Sequence, residues 1–240
     1  MAAPLILNTV TTVAKRADFR ARLQPKNMAA CNDVLGPQNS NNILFPLWQT
    51  RGVLFPYTPA ISSGSTVEYD PTNFIHSNYN YNAYVRSNPK PISIAAEFTA
   101  QTSDEALYLL AVLHFFRAVT KSYFGVNPYQ KAGTPPPVLL FNYMGQYQFN
   151  NVPVVVKSFD YTYDATIDYV AVDTAENEGY SSNIGVSLPI GGGPNGGWTQ
   201  VPTHISVKLE LDTQYIPIRM RNEFNLDKFR SGNLITGGYI

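Results

Sequence analysis

Six carboxylates crowd one stretch of the chain, Asp160, Asp164, Asp168, Asp173, Glu176 and Glu178, with no basic residue among them. Paired carboxylates hydrolyse glycosides or hold calcium when folding sets them at suitable separations. Sequence distance does not supply that separation, and an acidic loop or rim is the plainer reading. The same charges also suit assembly, because they could meet basic segments, Arg16 to Arg22 or Arg219 to Arg230, on a neighbouring copy. The three histidines, His76, His114 and His204, have no companion at metal-ligand spacing. Gly191, Gly193 and Gly196 satisfy G-x-G-x-x-G but lead towards a strand, whereas a dinucleotide site needs the motif after a strand and opening a helix. No serine sits in a nucleophile-elbow setting, and the single Cys31 lacks an activating neighbour. These residues point to no catalytic group, cofactor or metal, and the chain reads as a structural, self-assembling protein.

Composition agrees. The formal net charge is zero and only 14% of the 240 residues are charged, below the quarter or so usual for soluble domains. Low and balanced charge favours association, and the 16 tyrosines suit both strands and interfaces, since each packs a ring and keeps a hydroxyl free to bond. One cysteine excludes an intrachain disulfide and fits a reducing compartment. The longest apolar runs are broken by prolines or charges, which argues against a membrane-spanning helix. Met1 to Val10 lacks a basic region before it, so no secretory signal is expected, and the protein is expected to remain in the cell that makes it.

The elements that would position these groups are mainly β. Residues 1–50 read as an arm and linker, with Lys15, Arg16, Arg20, Arg22 and Lys26 facing only Asp18, followed by a polar run from Gly36 to Asn42. From Gly52 onward one β domain is expected, with strands at Val53–Tyr57, Ser65–Tyr69, Tyr79–Arg86, Ile92–Ala100, Val138–Tyr143, Gln146–Phe149, Val152–Asp164 and His204–Asp212. Asn150-Asn151 reads as a turn. Tyr79 and Tyr81 share a parity that Tyr84 breaks, which allows a bulge or a strand covered on both sides there. In Val152–Asp164 the parity of Val154 and Val156 passes to Phe159, Tyr161 and Tyr163, which predicts a β-bulge near Lys157 and Ser158. In the last strand Ile205, Val207, Leu209 and Leu211 face one side while His204, Ser206, Lys208, Glu210 and Asp212 face the other. Thr174–Gln200, rich in Gly, Ser and Asn, is expected to be a long excursion.

One long helix is predicted over Ser103–Phe124. Thr102 supplies the N-cap oxygen, Glu105 the carboxylate three residues later, and Gly125 the stop. Ala106, Leu109, Leu110, Leu113 and Phe116 recur at helical spacing, so the helix reads as an outer brace on the sheet.

Several segments together resemble the phage tail-tube fold, in particular the baseplate tube-initiator or tail-tube cap proteins of contractile-tailed bacteriophages. They are Gly52-Val-Leu-Phe-Pro-Tyr, Asp104 to Tyr123, Gly133-Thr-Pro-Pro-Pro-Val-Leu, Asn150-Asn-Val-Pro-Val-Val, and Glu223 to Gly232, so the resemblance covers about residues 50–240. The proline-bearing segments are its more specific part, and the first 50 residues show no adaptor region of the kind some such proteins carry. The resemblance implies a β sandwich flanked by a helix, six copies of which join their sheets into a barrel around a channel for DNA. It implies a virion protein at the baseplate end of a tail, made in the host cytoplasm. Its partners would be adjacent tube or hub rings, with sheath, wedge or tape-measure proteins beyond them.

On that basis His204, Ser206, Lys208, Glu210 and Asp212 would line the lumen. Arg16, Arg20, Arg22, Arg219, Arg221 and Arg230 would lie between subunits, and Phe224–Ile240 would pack on an adjacent ring or hub subunit. Two other readings compete. Tyr79, Tyr81 and Tyr84, or Tyr161 and Tyr163, could form a sugar-binding platform on a carbohydrate-binding β sandwich. A glycosidase could use the acidic stretch.

Overall fold

The computed structural model describes residues 18–38, 42–124, 132–173 and 198–240. Its centre is an antiparallel seven-stranded sheet. In spatial order the strands are β2 (Val53–Leu54), β1 (Arg22–Pro25), β7 (Leu139–Tyr143), β8 (Phe149–Tyr163), β11 (His204–Thr213), β6 (Ile92–Thr99) and β3 (Ala60–Ser62). Two further antiparallel pairs stand apart from it, β4 (Ser65–Thr72) with β5 (Tyr81–Pro89), and β9 (Tyr169–Asp173) with β10 (Trp198–Pro202). The helices are α1 (Met28–Leu35), α2 (Pro46–Thr50), α3 (Ser103–Val119), α4 (Pro217–Glu223) and α5 (Leu226–Arg230).

The sheet is curved, and chain length requires it. β2 and β3 occupy opposite margins, and six inter-strand steps of about 4.8 Å would hold them roughly 29 Å apart in a flat sheet. The link from Leu54 to Ala60 can span at most about 21 Å. Phe55, on that link, is buried and its ring lies 5.6 Å from Phe98 on the core face, so the core face is the inside of the curve. β2 and β3 are not paired with each other, and the sheet does not close into a barrel within one chain.

Alternation in β11 sorts as the sequence predicts. Ile205, Val207, Leu209 and Leu211 are buried, whereas His204, Ser206, Glu210 and Asp212 are half-buried and Lys208 is exposed. The predicted bulge also lies where the parity changes: Glu210 pairs with Ser158 and Leu211 with Val156, leaving Lys157 as the extra residue. That one extra residue lets both Val154 and Phe159 turn towards the core. Asn150-Asn151, in contrast, is not a turn. Both residues lie inside β8, where Asn151 takes a left-handed φ of 53° and its N–H is received by Asn142 Oδ1 at 2.7 Å.

The expected sandwich with one long outer helix is corrected by α3 and its surroundings. The helix spans 17 residues and ends at Thr120, whose hydroxyl donates to the Arg117 carbonyl at 3.0 Å. Beyond it the chain pairs with a later segment: the Tyr123 N–H donates to the Thr134 carbonyl, and the Gly133 N–H to the Tyr123 carbonyl. Nor is α3 an outer brace. Ala106, Tyr108, Leu109, Ala111, Val112, Leu113, Phe115, Phe116 and Val119 are all buried, so more than half of its circumference is covered, while a stripe through the half-buried Leu107, Leu110 and His114 to the exposed Arg117 reaches the surface. It is held between β6 and β8 of the sheet and a second layer made of α1, α2, β9 and β10.

The capping box forms as predicted. Thr102 Oγ1 accepts from the Glu105 N–H at 3.3 Å, and Glu105 Oε2 accepts from the N–H groups of Gln101 at 2.6 Å and Thr102 at 3.3 Å. Thr102→Ala is expected to cost about 1 kcal/mol, measurable as a lower denaturant midpoint at unchanged slope.

The described residues between 22 and 50, expected as part of an arm and linker, belong to this core. β1 pairs with both β2 and β7, and Leu23, Cys31, Leu35, Leu47 and Trp48 are buried. Residues 1–17 lie outside the described residues. The long excursion expected at 174–200 ends in β10, which begins at Trp198; positions 174–197, including Glu176, Glu178 and the three motif glycines, lie outside the described residues.

Candidate assembly surfaces

The predicted sites separate in space. Asp160 lies on the polar face of β8, opposite Lys208. Asp164 is past the end of that strand, where Oδ1 accepts from the N–H and hydroxyl of Thr166 at 3.3 and 3.1 Å. The backbone carbonyl of Asp168 accepts from the Thr203 N–H. Among the described residues no three acidic, histidine or cysteine side chains gather as a metal site would require.

His114 is half-buried on α3; burial and then Arg117 lower its pKa, which favours the neutral ring. Cys31 is buried, and burial pushes its thiol pKa up despite Arg51, so it is a poor nucleophile. Tyr161 is half-buried and Tyr163 exposed. They continue a ladder of rings, Phe116 to Phe159 at 5.0 Å, Phe159 to Tyr161 at 5.4 Å and Tyr161 to Tyr163 at 5.1 Å, with the Arg117 guanidinium 5.2 Å from the Tyr161 ring centre.

Among the described residues, three surfaces take little part in holding the chain together. The first is the polar outer face of the sheet, which brings His204, Ser206, Lys208, Glu210 and Asp212 beside Ser93, Ala95, Glu97 and Thr99 of β6 and Ser158, Asp160 and Thr162 of β8. Charges of both signs alternate across it. His204 Nε2 lies 3.8 Å from Glu97 Oε2, and Lys157 Nζ 3.8 Å from Glu210 Oε2. These are exposed pairs of little energetic weight, but they leave the face without a continuous basic stripe.

The second surface is the β4–β5 hairpin. It continues β3 and β6 past the edge of the core: Ser62 pairs with Ser93, the Lys90 N–H donates to the Gly64 carbonyl at 2.7 Å, and Ser65 pairs with Pro89. Eight residues of β4 at about 3.3 Å each carry it roughly 26 Å outward. Every residue of β4 is exposed, and every residue of β5 except the half-buried Ala83. The arm nevertheless carries Val67, Tyr69, Phe74, Ile75, Tyr79, Tyr81, Tyr84 and Val85 as exposed apolar or aromatic side chains. Its parity change resolves as a bulge at Val85, since Glu68 pairs with Arg86 and Tyr69 with Tyr84. The tyrosine rings of 69 and 84 meet edge to face at 6.0 Å.

The third surface is α4–α5. Neither helix has a buried residue, yet Ile216, Ile218, Met220, Phe224, Leu226 and Phe229 are all exposed there. Arg219 forks onto both oxygens of Glu223 at 2.9 to 3.2 Å and Arg230 lies 3.8 Å from Asp227. Arg221 and Lys228 have no ion pair among the described residues.

Of the other arginines expected between subunits, Arg20 and Arg22 converge on Asp18 at 2.9 and 2.8 Å. The Arg20 hydrogen bond is the main cause holding the Asp18 carboxyl below its usual range. Arg16 lies outside the described residues. The last segment packs on its own chain: Leu234 and Tyr239 are buried, and Tyr239 stacks on Tyr215 at 5.1 Å and 5°. Within that run Phe224 touches Tyr239 at 6.0 Å between ring centres, yet it and its neighbours on α4–α5 stay exposed.

The apolar side chains of 216–229 and the Phe74-Ile75 tip escaped the sequence reading. Their signal was present as apolar residues in short segments with no buried partner face, but only exposure in the fold separates such residues from core. No helix among the described residues is long and apolar enough to cross a membrane. No known protein family and no curated protein matches the sequence.

Proposed function

We propose that this chain is a structural subunit of a contractile phage tail, forming a ring at its baseplate end that starts or extends the tail tube. The observation that carries the reading is the β4–β5 arm, an aromatic-bearing hairpin that extends beyond the core and buries almost nothing against the described residues. An exposed pair of strand edges is a template for pairing with another chain, and a contact between two different patches closes into a ring when its rotation closes. The polar outer face supports the same reading. Glu97, Asp160, Glu210 and Asp212 interleave with Lys157 and Lys208 there, so DNA phosphates would meet no basic track strong enough to hold them by counterion release. The near-absence of net charge fits a surface largely covered in assembly.

The test removes the arm without touching the core. Gly64 and Lys90 are already paired, so replacing residues 65–89 with a two-residue Asn-Gly turn closes β3 onto β6 as an ordinary hairpin. The shortened chain is expected to keep the thermal midpoint of the monomer and to lose ring formation, seen by electron microscopy and sedimentation. Wild-type rings with six-fold symmetry are the expected reference. A wild-type chain that stays monomeric, or that is retained on a glycan column as a monomer, overturns the reading.

A further inference from the structure

We infer that α4–α5 is the receptor for the β4–β5 arm of a second copy of this chain, an assignment that rests on the ring reading above. Topology places the two at the same end of the sheet. The arm leaves where β6 begins, at Ile92, and α4 follows the end of β11; Ile92 and Leu211 are paired. Rotation about a ring axis preserves height, so features at one end of each subunit meet their counterparts on the next. The arm's roughly 26 Å reach is comparable to the roughly 29 Å width of seven strands laid flat, enough to cross from one subunit onto its neighbour.

The two surfaces are also complementary. Both are apolar and uncovered: Val67, Tyr69, Tyr81 and Val85 on the arm, and Ile218, Met220, Phe224 and Phe229 on the helices, are exposed. On the arm Glu68 is neutralised by Arg86 at 2.6 Å, while Asp70 has no ion pair among the described residues, leaving one net negative charge. On α4–α5 the pairs with Glu223 and Asp227 neutralise Arg219 and Arg230, leaving Arg221 and Lys228 as net positive charge. An aromatic patch rimmed by one opposite-charge contact has the make-up of a specific interface with polar orientation control. The contact is heterologous, because the arm and its receptor differ, so it propagates around a ring instead of ending in a two-fold dimer.

Full-length chains carrying Tyr81→Cys and Phe224→Cys, made separately and mixed under mild oxidation, test the assignment; the sole native cysteine is buried. An 81–224 disulfide is expected in the mixture and in neither variant alone. Met220→Asp is expected to raise the concentration for half-assembly by about tenfold or more, with an unchanged monomer melting temperature because Met220 is exposed. Asp70→Arg is expected to weaken assembly and Arg221→Asp, in a double variant, to restore it. Rings that form normally in Met220→Asp without the 81–224 crosslink overturn the receptor assignment and leave the ring reading standing. A wild-type chain that forms no rings overturns both.

Discussion

Tyr108→Phe is expected to lower the unfolding free energy by about 2–4 kcal/mol, a large effect for the loss of one oxygen atom. Tyr108 lies on α3, fully enclosed, and its hydroxyl serves both backbone groups of one residue on the sheet margin. It accepts from the Leu54 N–H at 2.8 Å and donates to the Leu54 carbonyl at 3.0 Å. Leu54 is the last residue of β2 and has a paired neighbour strand on one side only, so the phenol takes the place of a missing strand. Phenylalanine keeps the ring and leaves a buried donor and acceptor unpaired, each costing about 1–3 kcal/mol. Denaturant melts of the two proteins measure the loss; a change below about 0.5 kcal/mol would mean that water reaches Leu54.

The same hydroxyl predicts an alkaline signature. Burial is the main cause that pushes the Tyr108 pKa up to about 12 from 10.0. Its folded pKa is therefore above its unfolded one, so the stabilisation from the neutral phenol is fully present below pH ~10 and is lost as pH rises through ~12. Two units correspond to on the order of 2–3 kcal/mol. The stability gap between wild type and Tyr108→Phe is expected to narrow over that window and to stay constant from neutral pH to about 9.

Gly52→Ala is expected to cost about 3 kcal/mol or more and to lower Tm by roughly 6–12 °C for a chain of this size. Gly52 has φ of +132°, and a Cβ built there would lie 2.2 Å from the Leu23 carbonyl oxygen and 3.0 Å from the Gln24 Cα. Both contacts are backbone of β1, so nothing can swing aside; the pairing of Leu23 with Val53 would have to open. Gly133 is the control. Its φ is +81° but its Cβ would meet nothing within 4 Å, so Gly133→Ala carries only the left-handed backbone cost, about 1–2 kcal/mol. Equal losses at the two positions would show that conformation alone, and not the close approach of β1, sets the requirement at Gly52.

Much of this fold is legible along the chain where the cause is local. The Thr102–Glu105 cap, the alternation of β11 and the parity shift at Lys157 each involve groups within a few residues of one another, and periodicity records them. The N-terminal strand was not legible. β1 has four residues, Arg22–Pro25, too few to establish a period, and the basic residues around it read as an arm and linker. The helix was overextended because its apolar spacing continues into Tyr123, whose backbone instead pairs with Gly133 and Thr134. In the acidic stretch, Asp160 and Asp164 sit on a strand and beyond its end, because a strand advances about 3.3 Å per residue and turns alternate side chains apart.

By itself, then, the sequence determined a mainly β chain with a capped apolar helix and a half-wet last long strand, since short-range pattern suffices for each. Which apolar strands are core was decided only in three dimensions. Ile92–Ala100 and Ser65–Tyr69 both suggest strands, but α3 packs on the first while every residue of β4 is exposed among the described residues. The placement of Leu54 and Ala60 at opposite margins of one sheet, and the reach of Tyr108 across 54 positions to Leu54, depend on the order in which all the strands pair. That order is a property of the whole core, and it leaves the arm and α4–α5 as the surfaces still to be covered.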